Sequence, residues 1–162
     1  MSCIDELIQV HSRYCPSCRE FSIRAGGHNI AVPSEHAVAF RCDNCKVYTG
    51  EDVRPDFIAF FEHSSHQKHY WAVIESKGRI GKTSEIVRQL QSGADTIEGS
   101  DMFRLNNRVN DALVPIVLFT GKTRSADFVI LRQNRIRFRS HKYGIAAYRC
   151  KPGLSLSDLL PR

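Results

Sequence analysis

The amino-acid sequence predicts an α/β protein: a mixed sheet flanked by helices, with a small zinc-binding module near the N-terminus. Three observations carry this expectation. Two Cys-x-x-Cys pairs stand in the first third of the chain, two apolar segments of strand character follow at 56–61 and 70–77, and an amphipathic helical stretch then leads to another β-branched run at 114–120. The 162 residues make one domain of ordinary size, expected to span 1–162 with the zinc-knuckle insert at 13–48. A domain of this length buries roughly 70% of its unfolded surface, so it does not need disulfides to compensate for a small core.

Taken in order, Asp5–His11 reads as a short amphipathic helix with Ile4, Leu7 and Ile8 on one stripe. The zinc module runs to about Tyr48 and leaves room for a hairpin made of Glu20–Ile23 and Ala37–Arg41. Asp56–Phe61 is almost continuously apolar, as in a strand covered on both faces. Tyr70–Lys77 reads as its return strand, across a polar loop that carries His63, His66 and His69. Ser84 stands where it can cap a helix whose Ile86, Val87, Leu90, Ala94 and Ile97 form one stripe, ending near Gly99. A second helical stretch is expected at Asp101–Leu113 and a buried strand at Val114–Thr120, so that strand, helix and strand form a parallel crossover. A helix capped by Ser125 then extends to Arg132, and two last strands are expected around Ile136–Arg139 and Tyr143–Arg149.

Composition narrows the class. With 42% hydrophobic and 25% charged residues, the chain has the make-up of a folded protein, not a disordered one. Apolar runs such as Val114–Phe119 are far shorter than the ~20 residues a membrane span requires. Ser2–Val10 carries Asp5 and Glu6 and does not resemble a signal peptide, so the expected location is the cytoplasm. The net charge of +6 is concentrated at one end, where residues 122–162 hold ten basic and two acidic side chains. A basic end beside an acidic middle suits a polyanion held over a carboxylate or metal site, although a solvated basic face has the same composition.

Cys15-Pro-Ser-Cys18 and Cys42-Asp-Asn-Cys45 are separated by 23 residues. Two residues between thiolates let both sulfurs of a tight turn face one ion, and two such turns complete a tetrahedral zinc site. Arg13, Arg19, Arg41 and Lys46 flank the pairs and would favour the ionised thiolates. Disulfides suit a cytoplasmic chain poorly, and a thioredoxin-like dithiol would occur once beside a βαβ unit. Four thiolates leave no open position, so this zinc is expected to be structural. Cys3 and Cys150 read as packed apolar residues.

The chemistry is expected around Arg54-Pro55-Asp56, which opens the first strand of the hairpin, and Glu75-Ser76-Lys77, which ends the second. Side chains alternate along a strand, so Glu75 and Lys77 share a face, and normal pairing brings Asp56 to the same region. Two carboxylates so placed repel each other unless a cation lies between them, and Mg²⁺ or Mn²⁺ suits their oxygen ligands. Such an ion polarises a phosphodiester and activates water, while Lys77 orients that water or stabilises charge on the phosphate.

In Pro55-Asp56 followed by Glu75-Ser76-Lys77 the chain resembles the PD-(D/E)XK nuclease superfamily, over roughly 54–97. The resemblance implies a restriction-endonuclease-like core and metal-dependent phosphodiester cleavage. It also implies metal ligation by Asp56 and Glu75, a catalytic Lys77 and, since self-association is common there, a homodimer. The Arg88-Gln89-Leu90 helix looks like that of microbial members with a Glu-x-Lys-Gly strand end. The superfamily's helix glutamine makes Gln89 a site candidate and Gln91 a second, and its common first-helix carboxylate makes Glu6 a fourth member of the site.

A row of Arg135, Arg137 and Arg139, with Arg132 before it and Lys142 after, alternates with Ile136 and Phe138. On a strand this presents guanidinium groups to phosphates over a core-packed backbone, DNA being preferred to RNA, or simply protects an edge strand. Gly81-Lys82-Thr83 and Gly121-Lys122-Thr123 lack the upstream glycine of a phosphate-binding loop, having Ser76 and Ile116 in its place. His63, His66 and His69 read as a solvated loop tip. The expected function is Mg²⁺-dependent DNA hydrolysis, and the alternative is a non-catalytic zinc-containing nucleic-acid-binding module on the same fold.

Overall fold

The computed structural model describes residues 2–43, 45, 47–48, 53–63, 68–105 and 110–161. Helix α1 covers Cys3–Tyr14. Strands β1 (Arg19–Glu20), β2 (Ser22–Ala25), β3 (His28–Ala31) and β4 (Ala37–Arg41) follow, then the long pair β5 (Phe57–His63) and β6 (Lys68–Lys77). Helix α2 (Thr83–Gly99) leads through a 3-10 turn at Asp101–Phe103 to β7 (Asp111–Phe119), and α3 (Ser125–Gln133) precedes β8 (Arg135–Phe138), β9 (His141–Gly144) and β10 (Ala146–Arg149).

The central sheet has the order β1-β4-β5-β6-β7-β10. Its first four strands pair antiparallel, while β6, β7 and β10 run parallel, so the sheet is mixed as expected. The register Phe57↔Ile74 to His63↔Lys68 makes β5 and β6 a hairpin, and α2 is the crossover to β7. β1 and β4, within 13–48, extend the main sheet directly.

Both faces of this sheet are covered, which explains the near-continuous apolar runs. On one face Val38, Phe40, Ile58, Phe60, Trp71, Val73 and Val117 pack against Leu7 of α1, Leu90 and Ala94 of α2 and Leu131 of α3, together with Ile136 and Phe138. On the other face Ala39, Ala59, Phe61, Ala72, Ile74 and Ile116 meet Ile23 and Ile30 of the β2–β3 hairpin and the C-terminal Leu154, Leu156 and Leu159. Among the described residues no helix is long and apolar enough to cross a membrane.

Several elements differ from expectation. The helix expected over Asp101–Leu113 is a single 3-10 turn, with 106–109 outside the described residues. From Asp111 onward the chain is strand, because its ladder with His69–Lys77 satisfies backbone groups that a helical turn would have to satisfy locally. Tyr143–Arg149 divides at Ile145, one half pairing with β8 and the other with β7. Neither Ser84 nor Ser125 caps its helix; Lys82 and Arg124 occupy the N-cap positions, without side-chain cap bonds. α1 starts earlier because Ser2 Oγ accepts from the Asp5 N–H while Asp5 accepts from the Ser2 N–H, a capping box.

Candidate active site

Pro55 and Asp56 enter β5 directly beneath α2. The approach is close because residue 93 is glycine: a Cβ there would lie 2.8 Å from Pro55 Cγ and from Val73 Cγ1. Along β6, Trp71 and Val73 face the helices, and alternation carries Glu75 and Lys77 to that same side. Lys77 Nζ lies 3.1 Å from Glu75 Oε1. The Asp56 N–H donates to Glu75 Oε2 at 3.1 Å, and the Ser76 N–H donates to Asp56 Oδ2 at 2.8 Å. The three residues singled out in the sequence therefore converge, on the helical face and at one end of the β5–β6 pair.

Their electrostatics follow from burial. Glu75 is 2% exposed, and its pKa is pushed up to about 7, first by loss of water and then by the Asp56 charge, against the opposing effect of Lys77. Asp56 is also raised, chiefly by burial and further by Asp43, while the Ser76 N–H and Lys77 act the other way. Two carboxyls whose ionisation is opposed chiefly by burial would ionise more readily with a divalent cation between them.

A cleft of about 420 Å³ opens over Asp56, lined also by Asp43, Val53, Arg54, Glu85, Arg88 and Gln89; neither Glu75 nor Lys77 is among its lining residues. Gln89 Oε1 is buried and has no hydrogen-bond partner among the described residues. Gln91 does something else: its amide donates to the Arg137 carbonyl and accepts from the Arg137 N–H, both at 2.9 Å, tying β8 to α2. Glu85 went unread in the sequence, though it stands one helical turn before Gln89 and so shares its face. Glu6 is buried on α1, where its charge acts on Cys3, in the same helix, one turn away.

The cysteines collect beside this site. Each Cys-x-x-Cys turn is closed in the same way, Cys18 N–H to the Cys15 carbonyl and Cys45 N–H to the Cys42 carbonyl, both at 3.1 Å. The turns meet where the Arg41 N–H donates to the Cys18 carbonyl at 2.7 Å, and Cys42 N–H donates to the Asp56 carbonyl at 2.9 Å. Cys15, Cys18 and Cys45 place their sulfurs within 4.8 Å of one another, a buried group compatible with structural zinc when Cys15 and Cys18, here joined by a disulfide, are reduced. Cys42 is buried next to Cys45 but outside that set, and burial, followed by Cys45, raises its thiol pKa. Of the expected flanking cations, Arg41 pairs with Glu20 at 3.4 Å, Arg19 stacks over Phe21, and Lys46 lies outside the described residues. Cys150 is buried in the core as expected.

The basic row is divided. Arg135 and Arg137 are exposed on β8 while Ile136 and Phe138 are buried, as alternation requires, and Lys142 lies opposite Arg137 on β9. Arg139 is not part of that strand; it sits in the turn at φ +48° and its Nε lies 2.9 Å from Asp111 Oδ1, a carboxylate that also accepts from Trp71 Nε1. Arg135 donates to the carbonyls of Arg132 and Asn134. A second cleft of about 410 Å³, lined by Val53, Arg88, Gln91, Ser92, Asp95 and Thr96, shares Val53 and Arg88 with the first. The two together run along α2 from Asp56 toward the Gln91 clamp on β8.

The Gly-Lys-Thr loops are tied to each other: the Gly121 N–H donates to the Gly78 carbonyl and the Ile80 N–H to Thr123 Oγ1. His69 is not a loop-tip residue but part of β6, stacked on Phe60; His66 lies outside the described residues. Comparison with models of protein families, with curated proteins and with solved structures finds no match to this chain.

Proposed function

We propose that the chain is a Mg²⁺-dependent nuclease that hydrolyses phosphodiester bonds of DNA, built on a restriction-endonuclease-like core. The observation that carries this reading is the convergence of Asp56, Glu75 and Lys77 on one face at one end of two adjacent strands. The donor set fits a hard divalent ion: two carboxylates that repel each other when both are charged, and the unpartnered Gln89 Oε1 on the same cleft. Asp56 and Glu75 would hold Mg²⁺ or Mn²⁺, which when bound supplies a Lewis acid and a water of lowered pKa. Lys77, salt-bridged to Glu75 and 29% exposed, is placed to steady a water or an anionic phosphate oxygen. Gln89, whose Oε1 has no partner among the described residues, would orient a water by accepting its hydrogen bond.

Around this centre the chain's own residues supply binding. Arg88 lines both clefts, and the exposed Arg132, Arg137 and Lys142 would meet backbone phosphates beyond the Gln91 clamp. Zinc on Cys15, Cys18, Cys42 and Cys45 would be structural, holding the Cys42 turn, and through it Asp56, in place. The test is incubation of the purified protein with single-stranded, duplex and branched DNA, with and without Mg²⁺ or Mn²⁺. Products are expected only with the ion, and are expected to vanish in Asp56→Asn, Glu75→Gln and Lys77→Ala with folding and zinc content intact. Cleavage that survives these substitutions removes the mechanism, and salt-sensitive binding without any product leaves the binding-module alternative.

A further inference from the structure

At the far end of the β5–β6 hairpin a second set of metal-ligating side chains comes together. Glu62 and His69 are cross-strand partners, and α1 lays Cys3 over them. The ligand atoms of Cys3, Glu62 and His69 all lie within 4.8 Å of one another. Glu62 is six residues along the chain from Asp56, which at about 3.3 Å per residue separates the two places by about 20 Å. We propose that Cys3, Glu62 and His69 form a binding site for a divalent transition metal, Zn²⁺ in the first instance, distinct from both the paired carboxylates and the Cys-x-x-Cys turns.

Three features beyond proximity support the assignment. His69 Nδ1 is buried and has no hydrogen-bond partner among the described residues, so the ring holds a nitrogen whose partner is missing. The ring is also oriented: it stacks on Phe60, 5.6 Å between centroids and 14° from parallel, and its backbone N–H is engaged by the Asn110 carbonyl. The third feature is the donor set, one sulfur, one nitrogen and one carboxylate oxygen, which suits a borderline-soft ion and is a poor choice for Mg²⁺ or Ca²⁺. Glu6, one helical turn after Cys3, is near enough for its charge to act on the Cys3 thiol, and with it or with a water the ion reaches four ligands. Binding forms the S–Zn bond as Cys3 releases its thiol proton to solvent, and His69 binds as the neutral imidazole. The ion would fasten α1 to the β5–β6 hairpin where the Cys3 thiol already meets Glu62.

The full-length protein is equilibrated with buffered zinc and tested in two ways. Elemental analysis is expected to give two zinc ions per chain in the wild type and one in Cys3→Ser, Glu62→Gln and His69→Ala, with Cys45→Ser instead losing the other. Alkylation with iodoacetamide, mapped by mass spectrometry, is expected to modify Cys3 at least about tenfold more slowly with zinc than without, since metal-bound thiolate is a poor nucleophile. The second measurement uses the wild type alone and does not depend on any variant folding. Zinc content unchanged in the His69 and Cys3 variants, or Cys3 alkylation indifferent to zinc, would each overturn the site, whatever the Cys-x-x-Cys turns hold.

Discussion

Replacing Glu75 by glutamine is expected to change how stability depends on pH, by an amount that can be worked out from its surroundings. In the folded protein its pKa is raised from 4.5 to about 7 by burial and by Asp56. Below pH 4.5 the carboxyl is protonated whether the chain is folded or not, and contributes no difference. Between 4.5 and 7 the native state keeps a proton that the unfolded state has lost, so stability falls as pH rises, and above 7 the full penalty is present. At about 1.4 kcal/mol per pH unit, that interval amounts to about 3 kcal/mol. His11 acts in the opposite sense over an overlapping window: buried against Phe40 and lowered from 6.5 to about 4, it costs stability as pH falls. The quantity to measure is therefore the difference between wild type and Glu75→Gln, by urea unfolding from pH 4.5 to 8.5 without added magnesium. Glu75→Gln should gain on the wild type progressively with pH, by about 3 kcal/mol over the range. Mg²⁺ added at pH 8 should stabilise the wild type and leave the variant unmoved. A difference that does not vary with pH would refute the reasoning, because it would mean that Glu75 ionises as readily in the folded protein as in the unfolded chain.

Four other outcomes follow from the same structure. Gly93→Ala adds a methyl group 2.8 Å from Pro55 and Val73, so it should destabilise by about 1–3 kcal/mol in urea titrations, less about 1 kcal/mol regained in helix propensity, and weaken Mg²⁺ binding measured by calorimetry. Arg137→Ala should lower DNA affinity and reduce the salt dependence by about one phosphate contact without affecting stability. Arg139→Ala should instead cost about 1–2 kcal/mol in thermal unfolding, because Asp111 is left buried with one fewer partner. Cys45→Ser should release zinc and, through the Cys42 to Asp56 hydrogen bond, weaken the carboxylate site as well, seen as a loss of zinc by elemental analysis together with reduced Mg²⁺ binding.

Most of the candidate site was legible because it depends on contacts between neighbours in the chain. The hairpin expected from the sequence has a long polar loop that does not by itself set the register, but the alternation of Trp71, Val73, Glu75 and Lys77 sets a common face before any tertiary contact is known. The helix stripe of Ile86, Leu90, Ala94 and Ile97 is likewise periodic, and it carries Gln89 with it. What escaped were residues whose role depends on a distant partner. Glu85 matters only because α2 lies over Asp56, and Arg139 reads as one more strand arginine until the turn at φ +48° brings it to Asp111. Gln91 offers the same amide as Gln89, and only the placement of β8 makes it a backbone clamp.

From sequence alone one can read the α/β class, the buried hairpin, the two Cys-x-x-Cys turns and the pairing of Asp56 with Glu75 and Lys77. Each of these follows from short-range periodicity or from the geometry of a few linked residues. Tertiary structure alone decided that Asp111–Leu113 is strand and not helix, that the cysteine turns lean on Asp56, and that Cys3 meets Glu62 and His69. Those outcomes depend on which remote segment satisfies a backbone group or fills a space, and no local pattern records the identity of that segment.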